Sequence, residues 1–108
     1  MKLTVNKEQI IEGLLKAAAI IPAKAGAQYL RSIWLKADTG GLSVMSTDAN
    51  IEFTGCYQAE VAEPGLIGVQ GRAFVDLVRQ LPSGVLHLSL DEASGNLLIE
   101  QGRRSYKL

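Results

Sequence analysis

The 108 residues, 47% hydrophobic and 20% charged, suffice for one globular domain with its own core and exclude a disordered chain. Eleven Lys and Arg balance eleven Asp and Glu, which excludes binding by bulk charge; one Cys and one His exclude an internal disulfide, a Cys-based zinc site and a multi-His metal site. No apolar run approaches the roughly 20 residues that span a bilayer, and the N-terminus has no signal-peptide core, so the expected location is the cytoplasm.

Leu3-Thr4-Val5 reads as a short strand. Asn6 is placed to cap a helix, with Gln9 at capping-box spacing. Ile10, Ile11, Leu14, Leu15 and Ala18 then recur at helical spacing, opposite Glu8, Glu12 and Lys16. Pro22 stops this helix, predicted at 7–20, and residues 23–29 read as a loop. From Ser32 the period becomes two, with Ile33, Leu35 and Ala37 on one face. Gly40-Gly41 marks a turn, Leu42-Ser43-Val44 a strand, and Thr47-Asp48-Ala49-Asn50 a second turn. One long strand is predicted from Ile51 to Val61, with a bend or bulge at Gly55.

Glu63-Pro64-Gly65 punctuates the chain, and the order of elements then repeats. Leu66 to Val69 is a strand, and Gly71 to Gln80 a helix with Phe74, Leu77, Val78 and Leu81 on its apolar face. Pro82 and Ser83-Gly84 end it. Leu86, Leu88 and Leu90 alternate, as do Leu97 and Ile99 after Gly95. Gly102 makes a last turn before a strand at 103–108 that holds Tyr106 and Leu108. The unit is β-α-β-β-β, used twice. The expected class is α+β, with two adjacent, roughly antiparallel helices packed on one face of antiparallel sheet.

Zero net charge hides a segregation. Residues 38–63 carry Asp38, Asp48, Glu52, Glu60 and Glu63 without a cation, and residues 85–100 carry Asp91, Glu92 and Glu100 likewise. Lys7, Lys16, Lys24, Arg31, Arg72 and Arg79 lie in or beside the two helices. Such an array is a solvated face, or a way to follow phosphates without reading bases. No catalytic residue emerges. His87 alternates in a strand and belongs on its polar face; Cys56 has no His near in sequence; Thr47-Asp48 and Asp91-Glu92 read as turn residues.

Several segments together carry a family resemblance. They are Met1-Lys2-Leu3-Thr4-Val5, Gly41-Leu42-Ser43-Val44 leading into Thr47-Asp48, Val69-Gln70-Gly71-Arg72, Leu81-Pro82, and Gly102-Arg103 before Tyr106. In this order and spacing the chain resembles, over its whole length, the first domain of the bacterial sliding clamp, the β subunit of DNA polymerase III. The resemblance implies a DNA-clamp fold and a non-catalytic processivity factor without cofactor or metal. It implies a chain of three such domains, two chains closing a ring around duplex DNA, and one domain of the three present here. Lys24, Arg72 and Arg79 then face the DNA. Arg103, Tyr106 and Leu108 meet another chain's third domain, and polymerase and clamp loader dock on domains beyond this one. Ser105 stands where an Arg is frequent in the family, and Gln28 where a Pro is frequent. The isolated domain is expected to bind DNA weakly and to be monomeric or weakly self-associating. The alternative is a stand-alone α+β protein-interaction domain that does not handle DNA.

Overall fold

The computed structural model describes residues 1–22 and 28–108. Strand β1 (Lys2–Asn6) runs straight into helix α1 (Lys7–Ala19). A 3₁₀ turn, Gln28–Arg31, occupies part of the predicted loop and leads into β2 (Ser32–Asp38), β3 (Gly41–Thr47) and β4 (Glu52–Tyr57). Then come β5 (Glu60–Glu63), β6 (Gly65–Gln70), α2 (Gly71–Gln80), β7 (Val85–Asp91), β8 (Asn96–Gln101) and β9 (Arg104–Lys107).

The antiparallel sheet expected under the helices is divided into two: β5-β1-β7-β8-β9 and β4-β3-β2-β6. The repeat is real, but its halves interlock. Strand β1 pairs with β7 of the second half (Leu3 opposite Leu88), and β6 pairs with β2 of the first (Val69 opposite Ile33). Each half therefore lends its first strand to the other half's sheet, and neither closes a core alone.

One hydrophobic cluster joins both sheets and both helices. Ile10, Leu14, Phe74 and Val78 are buried as expected, and Val75 joins them, while Leu77 is half-buried against the same cluster. Leu15, part of the apolar series read from the sequence, is 43% exposed. The long strand predicted at 51–61 is two strands in different sheets, with the break at Gln58-Ala59. Gly55 is neither bend nor bulge, since the β3–β4 register runs unbroken through Val44 opposite Gly55. A Cβ there would strike the Tyr57 ring, which packs over Gly55 and against Gly13 of α1.

The helices run antiparallel, and each first turn serves the other helix's end. The Lys7 ammonium donates to Arg79 O (3.0 Å) and to Leu81 O, at the end of α2. The Arg72 guanidinium donates to Ile21 O (3.0 Å), just past the end of α1. A cation in a first turn opposes its own helix dipole but suits a neighbour's C-terminus. Lys7→Met is therefore expected to cost about 1–2 kcal/mol, as for a part-buried charged hydrogen bond, with the urea m-value unchanged. A loss under about 0.3 kcal/mol would show that water replaces the ammonium at no cost.

The expected Asn6 cap does not form: its side chain makes no capping hydrogen bond. Asn6 is still extended in β1, opposite Val85, and Gly84 O accepts the Lys7 N–H (2.9 Å) instead. At the matching point of the second half Gln70 Oε1 does accept the Ala73 N–H (2.7 Å). Glu8 supplements the first helix, its carboxylate accepting its own backbone N–H and, less strongly, bonding Ser83 and Gly84; its pKa is thereby lowered.

Two turn aspartates behave alike. Asp48 accepts the N–H groups of Ile51 (2.7 Å) and Asn50 (2.8 Å), and Asp91 accepts from the Ser94 hydroxyl (2.9 Å) and the Ala93 N–H (3.1 Å). These bonds favour the charged forms, so both carboxyls titrate below their ordinary value of 3.8. A depressed folded pKa gives stability that is present above the unfolded value and lost as pH falls through the folded one. The urea midpoint is thus expected to drop as pH falls below the ordinary carboxylate range. In Asp48→Ala/Asp91→Ala that decline should be shallower; an identical acid limb would remove both turns from the cause.

Candidate nucleic-acid interface and sheet edges

Helices α1 and α2 turn Ile10, Leu14, Phe74 and Val78 to the core, which leaves Leu15, Arg72, Asp76 and Arg79 on the opposite, exposed side. There the helices border an open groove of about 220 Å³, floored by Ala18, Ala19 and Val75 and flanked by Arg72, Asp76 and Arg79. Small residues on α1 keep the groove shallow, and the seven-residue spacing sets both arginines on one face of α2. Arg72 spends one N–H bond on Ile21 O and keeps its charge at the rim. Lys16, on the exposed side of α1, pairs with Glu12 (3.2 Å). Lys24, the third cation read from the sequence, lies outside the described residues.

Most acids lie elsewhere. Asp38, Glu52, Glu60, Glu63, Asp91 and Glu100 are on strands, and Asp48 and Glu92 are in turns. The exceptions are Asp76, inside the groove, and Glu8 and Glu12 on α1. His87 lies on the outer face of its sheet, with Nδ1 3.1 Å from Thr4 Oγ1. Cys56 is exposed, its sulfur 3.6 Å from Ser43 Oγ. Among the described residues no group of three or more His, Cys, Asp and Glu could hold a metal, and no helix is long and apolar enough to cross a membrane.

The other sequence-derived residues gather at one sheet edge. Strand β9 pairs with β8 alone, Tyr106 opposite Ile99. It spans Arg104–Lys107 rather than 103–108: Arg103 is in the turn, after Gly102 at φ 59°. Leu108 still exchanges both backbone hydrogen bonds with Leu97 (2.9 and 3.0 Å). Tyr106 and Leu108 are half-buried against the core; Arg103 and Arg104 line a surface hollow with Pro82 and Gln101. Gln101 Nε2 donates to Pro82 O (2.7 Å), which ties this hairpin to the exit of α2. Sequence reasoning does not single out Lys7, because its role needs a carbonyl far along the chain.

Fold and site together define a duplicated two-sheet scaffold with Arg72 and Arg79 exposed on its helix pair and open strand edges at its ends. A family model described as DNA polymerase III beta subunit, N-terminal domain, matches residues 1–108, and the chain belongs to that family. Among curated relatives, the beta sliding clamp of Streptomyces coelicolor is 31% identical over 103 residues, 95% of this chain and 27% of the relative. That of Pseudomonas putida is 30% identical over 110 residues, 100% of this chain and 29% of the relative. The crystal structure of a DNA polymerase sliding clamp from Caulobacter crescentus superposes with TM-score 0.94 at 28% identity, covering 100% of this chain and 30% of that one. The chain thus spans less than a third of the length of the relatives it matches.

Proposed function

We propose that this chain is one sector of a ring-shaped sliding clamp, a non-catalytic processivity factor that encircles duplex DNA and tethers the replicative polymerase. The observation that carries the reading is the shared groove of Arg72 and Arg79 between antiparallel helices, on the side away from both sheets. Long cations on a helix pair meet phosphates wherever the duplex slides and read no base. In this reading Lys24 joins them at the DNA. The chain is the first of three similar domains, and Arg103, Tyr106 and Leu108 lie where a second clamp chain closes the ring. Polymerase and clamp loader engage the other domains, and the complex works in the cytoplasm. Retention on DNA comes from ring topology, so the domain itself needs little affinity.

Fluorescence anisotropy with linear duplex tests this. Three phosphate contacts give a log–log salt slope of about −2.7, at roughly 0.9 per phosphate, with dissociation constants of ~10⁻⁴ M or weaker at physiological salt. Arg79→Ala should flatten the slope by about 0.9 and leave binding equal across sequences. Submicromolar affinity or a sequence preference would contradict sliding. No binding at low salt, or a slope indifferent to Arg72 and Arg79, would favour the stand-alone interaction domain.

A further inference from the structure

We propose that Asp76 bars phosphate from the space between Arg72 and Arg79, so that each arginine meets the DNA backbone singly and no phosphate is clamped by both. The inference rests on reading the helix side as the DNA-facing one, and it gives the acid inside that groove a task of its own.

Arg72 and Arg79 are about 10 Å apart along α2, at roughly 1.5 Å per residue, and Asp76 lies between them, about 6 Å past the first. The three fall within about 60° of one another around the helix axis. All three line one groove. A single phosphate reached by both arginines must therefore sit over Asp76. Guanidinium groups hold phosphate through paired, charge-assisted hydrogen bonds, and two of them on one phosphate make a tight anion seat. The groove floor of Ala18, Ala19 and Val75 offers no side-chain charge or hydrogen bond to weaken it. The carboxylate alone opposes an anion there.

The fold gives no other reason for an aspartate at this position. Asp76 is exposed, and among the described residues the one ion pair is Lys16–Glu12. Glu12 and Lys16 stand as far before Pro22 as Arg72 and Asp76 stand before Pro82, so they are their counterparts in the repeat. In α1 the acid precedes the cation by four residues, the better order for a helical pair, and the pair forms (3.2 Å). In α2 the order is reversed, and Arg72 turns instead to Ile21 O (3.0 Å). Aspartate is also a poor helix former, and Asp76 lies beyond the first turn of α2, where the helix dipole would favour it. A sliding duplex does gain from it. A two-arginine seat would hold each passing phosphate in turn and add a barrier to every step, whereas single contacts are exchanged one at a time.

Asp76→Asn keeps the shape of the side chain and removes its charge. In anisotropy with linear duplex at an ionic strength of about 0.01 M, this variant should bind about threefold to tenfold more tightly than the unaltered chain, with the gain fading toward about 1 M salt. Asp76→Glu, which keeps the charge, should bind as the unaltered chain does. Inorganic phosphate, titrated at constant ionic strength, should displace DNA from Asp76→Asn at a lower concentration than from the unaltered chain, because only the variant has the seat. Adding Arg79→Ala to Asp76→Asn should remove most of the gain, since the seat needs both arginines. All variants should melt with the unaltered chain, because these side chains are exposed. Equal affinity in Asp76→Asn, equal displacement by phosphate, or a gain that survives intact without Arg79 would overturn the assignment. In each of those cases an Arg79-dependent salt slope in the unaltered chain keeps the DNA-facing reading. An absence of DNA binding by both proteins at low salt removes the two together.

Discussion

Phe74→Ala is expected to lower stability by about 3–5 kcal/mol, the cost of emptying a fully enclosed aromatic site. Phe74 is 0% exposed and lies on the face of α2 that closes on the shared core. Neither half of the repeat has a core of its own, so a cavity at this point weakens both sheets and the seat of both helices. The urea midpoint should fall with the m-value unchanged, because the surface exposed on unfolding stays the same. A loss under about 1 kcal/mol would mean that the neighbouring residues collapse into the space, and that the packing described here is wrong.

Gly41→Ala is expected to cost about 2–4 kcal/mol, while Gly40→Ala, one residue earlier, stays within about 0.5 kcal/mol. Gly41 is buried at φ 120°, and a Cβ there would lie 2.5 Å from Tyr57 O. That carbonyl belongs to the backbone where the chain leaves one sheet for the other, so it cannot step aside as a side-chain tip could. At exposed Gly40 an added Cβ would meet only Asp38 Oδ1, at 3.3 Å. Paired urea or thermal denaturation checks the contrast. Equal losses at the two positions would show that the tight turn alone demands glycine, and that the crossing exerts no constraint.

In sequence the two glycines look alike, and that limit recurs. Hydrophobic period marks α2 to the residue, Gly71 to Gln80, because the apolar face and Pro82 agree. The same signal hides the break at Gln58-Ala59. Phe53, Tyr57, Ala59 and Val61 keep their parity across it because both sheets face one core, so nothing in the alternation records the change of sheet. The basic candidates were legible as charges on helices. That Arg72 and Arg79 border a single groove with Asp76 was not, since it depends on how α1 lies against α2.

By itself the sequence determined the elements, the internal duplication, the buried faces and the two acidic stretches, 38–63 and 85–100, that hold no Lys or Arg. These follow from local periodicity, turn chemistry and residue type, which act within a few positions. Tertiary structure alone decided the exchange of first strands between halves and the change of sheet after Tyr57. It also decided the service of Lys7 and Arg72 to each other's helix ends. Each of these joins groups about fifty residues apart or more, or turns on a choice between two sheets with the same inward face. Lys7 and Arg72 oppose their own helix dipoles, and their placement is favourable only because the neighbouring helix ends beside them.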